Sequence, residues 1–227
     1  MQPNNIHPFR NREPRLNIPT VVVVFVVINI AVFIWQDYIL DWNEQNYFIV
    51  RFAFIPLVFG SEQTLEVLLT PVTSSFLHAS WSHLGMNMLF MVVFGSPLAR
   101  RMGVGGFIVF WIFTSAAGAL FYYVLNTDSP IPVVGASGVV SAMLGAIARF
   151  GYGRSFFHPS LYGDVLPIRI AIRSRDIVTI MGFWLASNLL YGVTASWGGG
   201  AIAWQAHIGG LLAGFLAIGL FIPPRKK

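Results

Sequence analysis

The chain has 227 residues, of which 56% are hydrophobic and only 10% are charged, and it contains 20 Phe and 7 Trp. A soluble domain carries about 25% charged residues, so this composition excludes a soluble enzyme and indicates a protein that crosses a membrane several times. The chain contains no Cys, which excludes disulfides, thiolate catalysis and Cys-ligated metals.

Six apolar segments, taken in chain order, have the composition of transmembrane helices, which need about 20 residues each. The first is too long for the apolar core of a signal peptide and is interpreted as a retained anchor. The fourth covers only about 24 Å, less than the roughly 30 Å hydrocarbon core, so its outer end with Ser137 should lie below the outer surface. The segments are residues 18–39, 81–98, 104–125, 135–150, 177–193 and 203–222.

The basic residues give this bundle an orientation. The net charge is +5, and nearly all Arg and Lys lie before the first segment, after the second, between the fourth and fifth, and after the sixth. Loops rich in Arg and Lys stay cytoplasmic, so both termini are expected on the cytoplasmic side. The basic charge therefore reports topology and does not predict a nucleic-acid partner.

The sequence thus predicts an all-α fold, a polytopic six-transmembrane helix bundle. Residues 1–17 form a cytoplasmic tail, residues 18–224 the membrane domain, and residues 225–227 a basic cytoplasmic tail. The long outer loop, residues 42–80, has apolar patches too short to cross the bilayer, which indicates interfacial or re-entrant structure.

Four polar side chains lie at one predicted depth within the spans. His83 and Asn87 share one face of the second segment because they are four residues apart. Ser137 opens the fourth segment, and His207 lies near the outer end of the sixth. Polar side chains inside a membrane are costly and are functional candidates by default.

These groups can perform one specific chemistry. A serine becomes a nucleophile only beside a base, and an imidazole can serve, so Ser137 and His207 are the candidate pair. The helix N-terminus at Ser137 favours a developing oxyanion, and Asn87 and His83 offer further donors. No Asp or Glu lies nearby in the sequence to orient the base, which favours a Ser–His dyad.

Each feature also has a structural explanation. The small residues around Ser137 resemble a helix-packing surface, and His83 or His207 alone can serve as a buried hydrogen-bonding group. The shared depth of all four residues favours the catalytic interpretation. His78 is interpreted as structural, holding the outer loop in place.

The ordered set of motifs resembles the rhomboid family of intramembrane serine proteases, over residues 19–224. The matching stretches are His83-x-x-x-Asn87, Gly135-Ala-Ser137-Gly138 and Ala206-His207-x-x-Gly210. The resemblance implies cleavage of the transmembrane segments of other membrane proteins, with Ser137 as nucleophile and His207 as general base. Asn87, His83 and the Ser137 N–H would bind the oxyanion.

The resemblance also implies that substrates enter laterally from the bilayer and that the loop at residues 194–202 caps the site. It implies no metal, no cofactor and no nucleic-acid partner. The compact form suggests a multi-pass protein of a prokaryotic inner membrane. The physiological substrate, the cleavage site and the oligomeric state stay open.

The chain departs from the family pattern in three places. Leu69 and Thr70 stand where many members have a Trp-Arg pair in the outer loop. Ser141 stands where many members have a Tyr that packs on the catalytic imidazole, a role that Trp204 could take. Ile202 stands where a small residue is often found, four positions before Ala206. Two alternatives remain: a rhomboid-like pseudoprotease that binds transmembrane helices without cleaving them and, less favoured, a transporter.

Overall fold

A computed structural model describes residues 18–150, 164–197 and 203–222. These ranges are all-helical, apart from one antiparallel bridge between Phe54 and Val133. The helices are α1 (Thr20–Ile34), α2 (Trp42–Phe52), α3 (Pro56–Ser61), α4 (Leu65–Thr73), α5 (Trp81–Phe90), α6 (Ser96–Leu125), α7 (Ser137–Phe150), α8 (Ile168–Ala171), α9 (Arg175–Trp197) and α10 (Trp204–Phe221).

Within the described ranges, three helical stretches are long and apolar enough to cross a membrane: Thr20–Ile39, Trp81–Leu125 and Trp204–Phe221. The first includes the π-helical turn Trp35–Ile39 that extends α1. α7 is apolar but has only 14 residues, so the expectation of a short fourth helix is confirmed. The all-α membrane fold is therefore confirmed, while the count of six spans and the cytoplasmic termini stay predictions.

The 45-residue stretch Trp81–Leu125 is two helices in succession. Gly103 has φ 71° and ψ 178°, a conformation that breaks a helix and that glycine adopts without steric cost. The predicted second segment, residues 81–98, therefore stops about one turn before the break at Gly103. A π-helical turn at Met91–Gly95 precedes Pro97, and Pro97 lies in the first turn of α6, where a missing N–H is tolerated.

The outer loop is folded into α2, α3 and α4, followed by a 3₁₀ turn at Ser74–Phe76. α2 begins with a capping box in which Asp41 accepts from the backbone N–H of Glu44 and the Glu44 carboxylate accepts from the Asp41 N–H. Arg51 on α2 pairs with Glu66 on α4 at 2.5 Å. The loop is thus a set of short helices, and its interfacial or re-entrant place at the bilayer stays a prediction.

Buried polar contacts attach this loop to α6 in the absence of the Trp-Arg pair. Trp111 donates from Nε1 to the Ser75 hydroxyl at 2.9 Å, and Ser115 donates to the Pro71 carbonyl at 2.7 Å. Thr70, which stands in place of the Arg, donates only to the Val67 carbonyl of its own helix.

α7 is the central helix, and every residue from Val139 to Phe150 is buried. It runs parallel to α10 with the two backbones in contact. A Cβ on Gly145 would lie 2.2 Å from the Leu211 carbonyl oxygen, and one on Gly214 would lie 1.9 Å from that of Ala142. Small residues therefore fix the register of α7 and α10, as expected for close helix packing in membranes.

Arg149 joins the C-terminal end of α7 to α10. Its side chain is 7% exposed, and its Nη1 donates to the carbonyls of Phe215 at 2.6 Å and Leu216 at 2.9 Å. Its Nε donates to the Leu166 carbonyl at 3.0 Å. Three acceptors thus satisfy a buried cation, which burial would otherwise make unfavourable.

Several predictions fall outside the described ranges. They concern the tails at residues 1–17 and 225–227, the glycines of the capping loop at 198–200, and Ile202. The part of that loop at residues 194–197 is the last turn of α9 and not a loop.

Candidate active site

Ser137 is the first residue of α7, and its position is set by the two residues before it. Gly135 has φ 115°, which an L-residue with a side chain rarely adopts, and its N–H donates to the Ser74 carbonyl at 2.9 Å. The Ala136 carbonyl accepts the first helical hydrogen bond, from Val140 at 2.8 Å. The Ser137 N–H therefore belongs to the first turn of α7, whose N–H groups have no helical acceptor.

The Ser137 hydroxyl meets the imidazole of His207 from α10. The distance from Oγ to Nε2 is 2.7 Å, a hydrogen bond between residues 70 positions apart. The parallel contact of α7 with α10 explains this meeting, because a Cβ on Gly210 would lie only 2.0 Å from the Gly138 carbonyl oxygen. Gly138 and Gly210, both predicted as supporting residues, fix the level at which Ser137 and His207 meet.

The two predicted donors of α5 lie against Gly135. A Cβ on Gly135 would be 2.7 Å from Nε2 of His83 and 3.5 Å from Nδ2 of Asn87. Asn87 is 5% exposed, and its Nδ2 has no acceptor among the described residues. A buried amide donor is thus available next to Gly135, in the same cavity as Ser137.

All these side chains line one cavity of about 610 Å³. This volume lies within the usual range of small-molecule and substrate sites. The walls include the segment Ile131–Val134, whose Val133 pairs with Phe54 through two backbone hydrogen bonds of 3.1 and 2.8 Å. The outer loop therefore holds one wall of the cavity. Across the described ranges, no group of three His, Asp or Glu side chains lies close enough to share a metal ion.

A sequence model of the family described as "Rhomboid domain" matches residues 66–224. The chain belongs to the rhomboid family.

Named relatives agree with this assignment. The rhomboid resembles "Rhomboid protein 1, mitochondrial" of Saccharomyces cerevisiae, with 30% identity over 64% of this chain and 39% of that protein. It resembles "Rhomboid protease GluP" of Bacillus subtilis with 28% identity over 66% of this chain and 25% of that protein. "Rhomboid-like protein 11, chloroplastic" of Arabidopsis thaliana is 33% identical over 30% of this chain and 24% of that protein. The matches thus cover a minor part of these three relatives.

The structure of the rhomboid shows one polar partner of His207 that sequence analysis missed. The Asn188 side-chain oxygen on α9 is hydrogen-bonded to Nδ1 of His207. The signal for it was an Asn inside an apolar span, which is a functional candidate by the same reasoning that singled out Asn87. The Trp204 ring lies against Gly192, and its packing on the imidazole stays a prediction.

Ser141 of the rhomboid is fully buried and accepts a hydrogen bond from Nε1 of Trp184 at 3.1 Å. The indole of Trp184 lies edge-on to Phe90, with ring centroids 5.5 Å apart. Ser141 thus receives a side chain from α9 and does not itself contact the imidazole through any hydrogen bond.

The backbone of His78 attaches the outer loop to the first helical stretch. Its carbonyl accepts from Nε2 of Gln36 at 3.0 Å. Its ring is completely buried, packs edge-on against His83 at 5.1 Å, and has no hydrogen-bond partner in the described part of the chain. Burial, with His83 nearby, lowers the pKa of His78 to about 3, so this ring is neutral at ordinary pH.

Proposed function

We propose that this rhomboid is an intramembrane serine endopeptidase that cleaves transmembrane segments of other membrane proteins through Ser137 and His207. The observation that carries the proposal is the 2.7 Å contact between the Ser137 hydroxyl and Nε2 of His207. A nucleophile within hydrogen-bond reach of a base is the defining geometry of a serine hydrolase. One relative in the family is named as a protease.

The proposed reaction begins when Oγ of Ser137 attacks the scissile carbonyl carbon and transfers its proton to Nε2 of His207. The tetrahedral intermediate collapses when its C–N bond breaks and the leaving amine takes that proton from Nε2. Water then attacks the acyl-serine carbonyl, and His207 accepts its proton. The second intermediate collapses when the C–Oγ bond breaks, Oγ takes the proton back from Nε2, and the carboxylic acid product is released.

The negative charge of the intermediate would be stabilised by three donors. These are the backbone N–H of Ser137, Nδ2 of Asn87 and a ring N–H of His83. The N-terminus of α7 adds the positive end of its dipole. Loss of one such donor costs about 10²–10³-fold in kcat in serine hydrolases.

Substrate segments would reach the cavity laterally from the bilayer. Six spans would surround the site, and both termini would lie on the cytoplasmic side. The protein is an integral membrane protein with apolar helices. We propose a prokaryotic inner membrane as its location; the relatives come from bacterial, mitochondrial and chloroplast settings.

Labelling with a fluorophosphonate probe tests the activated serine directly. Purified protein in detergent is treated with the probe, and the adduct is located by mass spectrometry. The proposal expects an adduct on Ser137 that disappears in Ser137→Ala and His207→Ala. Ser96→Ala is the matched control, because Ser96 is also buried but donates only to the Val92 carbonyl of the adjoining helical turn.

Cleavage is measured in parallel, in liposomes with a fluorescent transmembrane peptide containing small, helix-weakening residues. Wild type and Ser96→Ala should cleave the peptide, and the other two variants should not. If folded wild-type protein neither takes up the probe nor cleaves, while it still binds the peptide, the protein is a helix-binding pseudoprotease and the proposal is wrong.

A further inference from the structure

The imidazole of His207 has partners on both of its ring nitrogens. Nε2 faces the Ser137 hydroxyl at 2.7 Å, and Nδ1 faces the side-chain oxygen of Asn188. The second contact joins α10 to α9, a helix whose opposite side carries Phe183 (72% exposed) and Leu190 (67% exposed). His207 is thus held between two other helices.

The amide of Asn188 can face His207 in only one way. Its Nδ2 donates to the backbone carbonyl of Trp184 at 2.8 Å. A carbonyl can only accept, so the amide nitrogen must lie on that side and the amide oxygen must face Nδ1. Nδ1 must therefore carry the proton, which leaves the lone pair of Nε2 facing the Ser137 hydroxyl.

The position of Asn188 is fixed by contacts one helical turn on either side of it. Trp184, four residues earlier, donates to Ser141 of α7 at 3.1 Å. Gly192, four residues later, lies so close to Trp204 of α10 that a Cβ there would be 2.5 Å from Cδ1 of the indole. Residues four apart lie on one face of a helix, so a single stripe of α9 faces α7 and α10 with Asn188 at its middle.

We propose that Asn188 is the positioning residue of His207, which holds the imidazole in the tautomer with its proton on Nδ1. The inference rests on the proposed function for its catalytic consequence, although the tautomer itself can be measured without any reaction. Only the Nε2 proton changes hands during the proposed cycle. The Nδ1 proton stays with His207 and is donated to Asn188 in both the neutral and the protonated ring.

A neutral amide suits this position. An orienting carboxylate would be half-buried at the wall of the cavity, where an ionised group is unfavourable unless it is paired. An amide supplies the same acceptor for Nδ1–H without that penalty. The amide orients the His207 ring and favours the Nδ1–H tautomer, but it stabilises the charged imidazolium less than an aspartate would.

The tautomer is measured by nitrogen NMR on protein labelled with ¹⁵N in its histidines, of which the chain has five. The His207 signals are assigned by their loss in His207→Ala. Protonated and unprotonated ring nitrogens of a neutral imidazole give clearly separate shifts. We expect Nδ1 to be protonated in wild type, Asn188→Asp and Ser187→Ala, and a mixture of tautomers in Asn188→Leu and Asn188→Ala.

The variants distinguish loss of the hydrogen-bond acceptor from loss of side-chain volume and from a general effect of changing α9. Leu replaces the Asn shape without an acceptor, Ala removes the side chain, and Asp retains an oxygen that faces Nδ1. Ser187 is the control because it lies on the same helix, is exposed, and donates to the Phe183 carbonyl four residues earlier, as Asn188 does to Trp184.

Peptide cleavage gives the second measurement. Asn188→Leu should lower kcat about 10- to 100-fold with KM nearly unchanged, since a positioned general base contributes about 10²–10⁴-fold in all. Asn188→Asp should recover most of this loss, and Ser187→Ala should behave as wild type. A merely structural role for Asn188 would instead lower the thermal stability and would not move the tautomer.

The two proposals fail in different ways. An Nε2-protonated ring in the wild type, or an unchanged tautomer in folded Asn188→Leu and Asn188→Ala, overturns the positioning role. If the wild type has the Nδ1–H tautomer but takes up no probe and cleaves nothing, the positioning role stands and the protease function falls. If neither Asn188→Leu nor Asn188→Ala folds, the tautomer of the wild type still tests the positioning role, because an Nε2-protonated ring would overturn it.

Discussion

The Cα of Gly210 faces the backbone carbonyl of Gly138 so closely that a Cβ on Gly210 would lie 2.0 Å from the carbonyl oxygen. Gly138 directly follows Ser137 in α7, and Gly210 comes three positions after His207 in α10. Backbone contact at this point therefore decides how high the imidazole stands relative to the serine. The geometry of the site depends on the absence of side chains as much as on the side chains present.

Gly210→Ala should separate α7 from α10 and destabilise the protein by about 3 kcal/mol or more, since the added methyl group meets backbone atoms that cannot rotate away. Probe labelling of Ser137 should be lost as well. The measurement is thermal unfolding in detergent. Gly219→Ala on the same helix is the control, because a Cβ there has nothing within 4 Å. Equal stability of the two variants would contradict the role of this contact.

Ser141→Tyr should impair the protein, even though many rhomboids carry a Tyr here. Ser141 is fully buried, and the space beside its hydroxyl is occupied by Trp184. A phenol ring would overpack this site at a cost of about 1–3 kcal/mol and push α9 away from α7. We expect a lower melting temperature and lower kcat for peptide cleavage.

Ser141→Ala is the comparison for this substitution, because it removes the hydrogen bond without adding volume. It should cost about 0.5–1.5 kcal/mol. Higher activity in Ser141→Tyr than in wild type would show that the imidazole accepts a tyrosine support in this chain after all.

Asn87→Ala should lower kcat about 10²–10³-fold while KM changes little, because its Nδ2 donor acts mainly on the charged intermediate. Cleavage of the transmembrane peptide in liposomes measures the effect. Asn126→Ala serves as the control, since Asn126 donates to the Tyr122 carbonyl at the end of α6. Turnover of Asn87→Ala equal to that of the control would remove Asn87 from the oxyanion site.

His78 should make the protein less stable in mild acid. The pKa of His78 is about 3 in the folded protein and about 6.5 in an unfolded chain. Between these values the unfolded chain binds more protons, so the free energy of unfolding falls as pH falls from about 6.5 towards 3. The slope for one group approaches about 1.4 kcal/mol per pH unit.

His78→Phe keeps an aromatic ring against His83 and removes this titration. Between pH 7 and 4 the melting temperature of the variant should therefore fall less than that of the wild type. The other four histidines are shared, so the difference in slope belongs to His78. Parallel curves would contradict the assignment.

The helices of the bundle could be predicted because the bilayer demands long apolar runs. α7 begins two residues later than predicted, at Ser137, and α6 ends at Leu125 as predicted. The level of Ser137 and His207 followed from helix direction and rise per residue. The helices of the outer loop were harder to predict from the sequence, since α2, α3 and α4 are short and depend on contacts with α6.

Asn188 escaped prediction for a physical reason. It lies 19 residues before His207 on a different helix, and nothing in the spacing shows which way that face of α9 points. Trp184, Asn188 and Gly192 form the stripe of α9 that faces the site. That orientation is set by contacts with Ser141 of α7 and Trp204 of α10, which the sequence of α9 does not show. Such pairings are fixed by tertiary packing and not by local pattern.

The separation of Ser137 and His207 along the chain also affects when the two residues meet during synthesis and membrane insertion. Synthesis proceeds from the N-terminus, so α7 enters the membrane while the residues of α10 are still to be made. Until α10 docks, the Ser137 hydroxyl lacks the imidazole that would activate it. Under the proposed function, a nascent chain would therefore have an inactive Ser137 until α10 inserts and brings His207 to it.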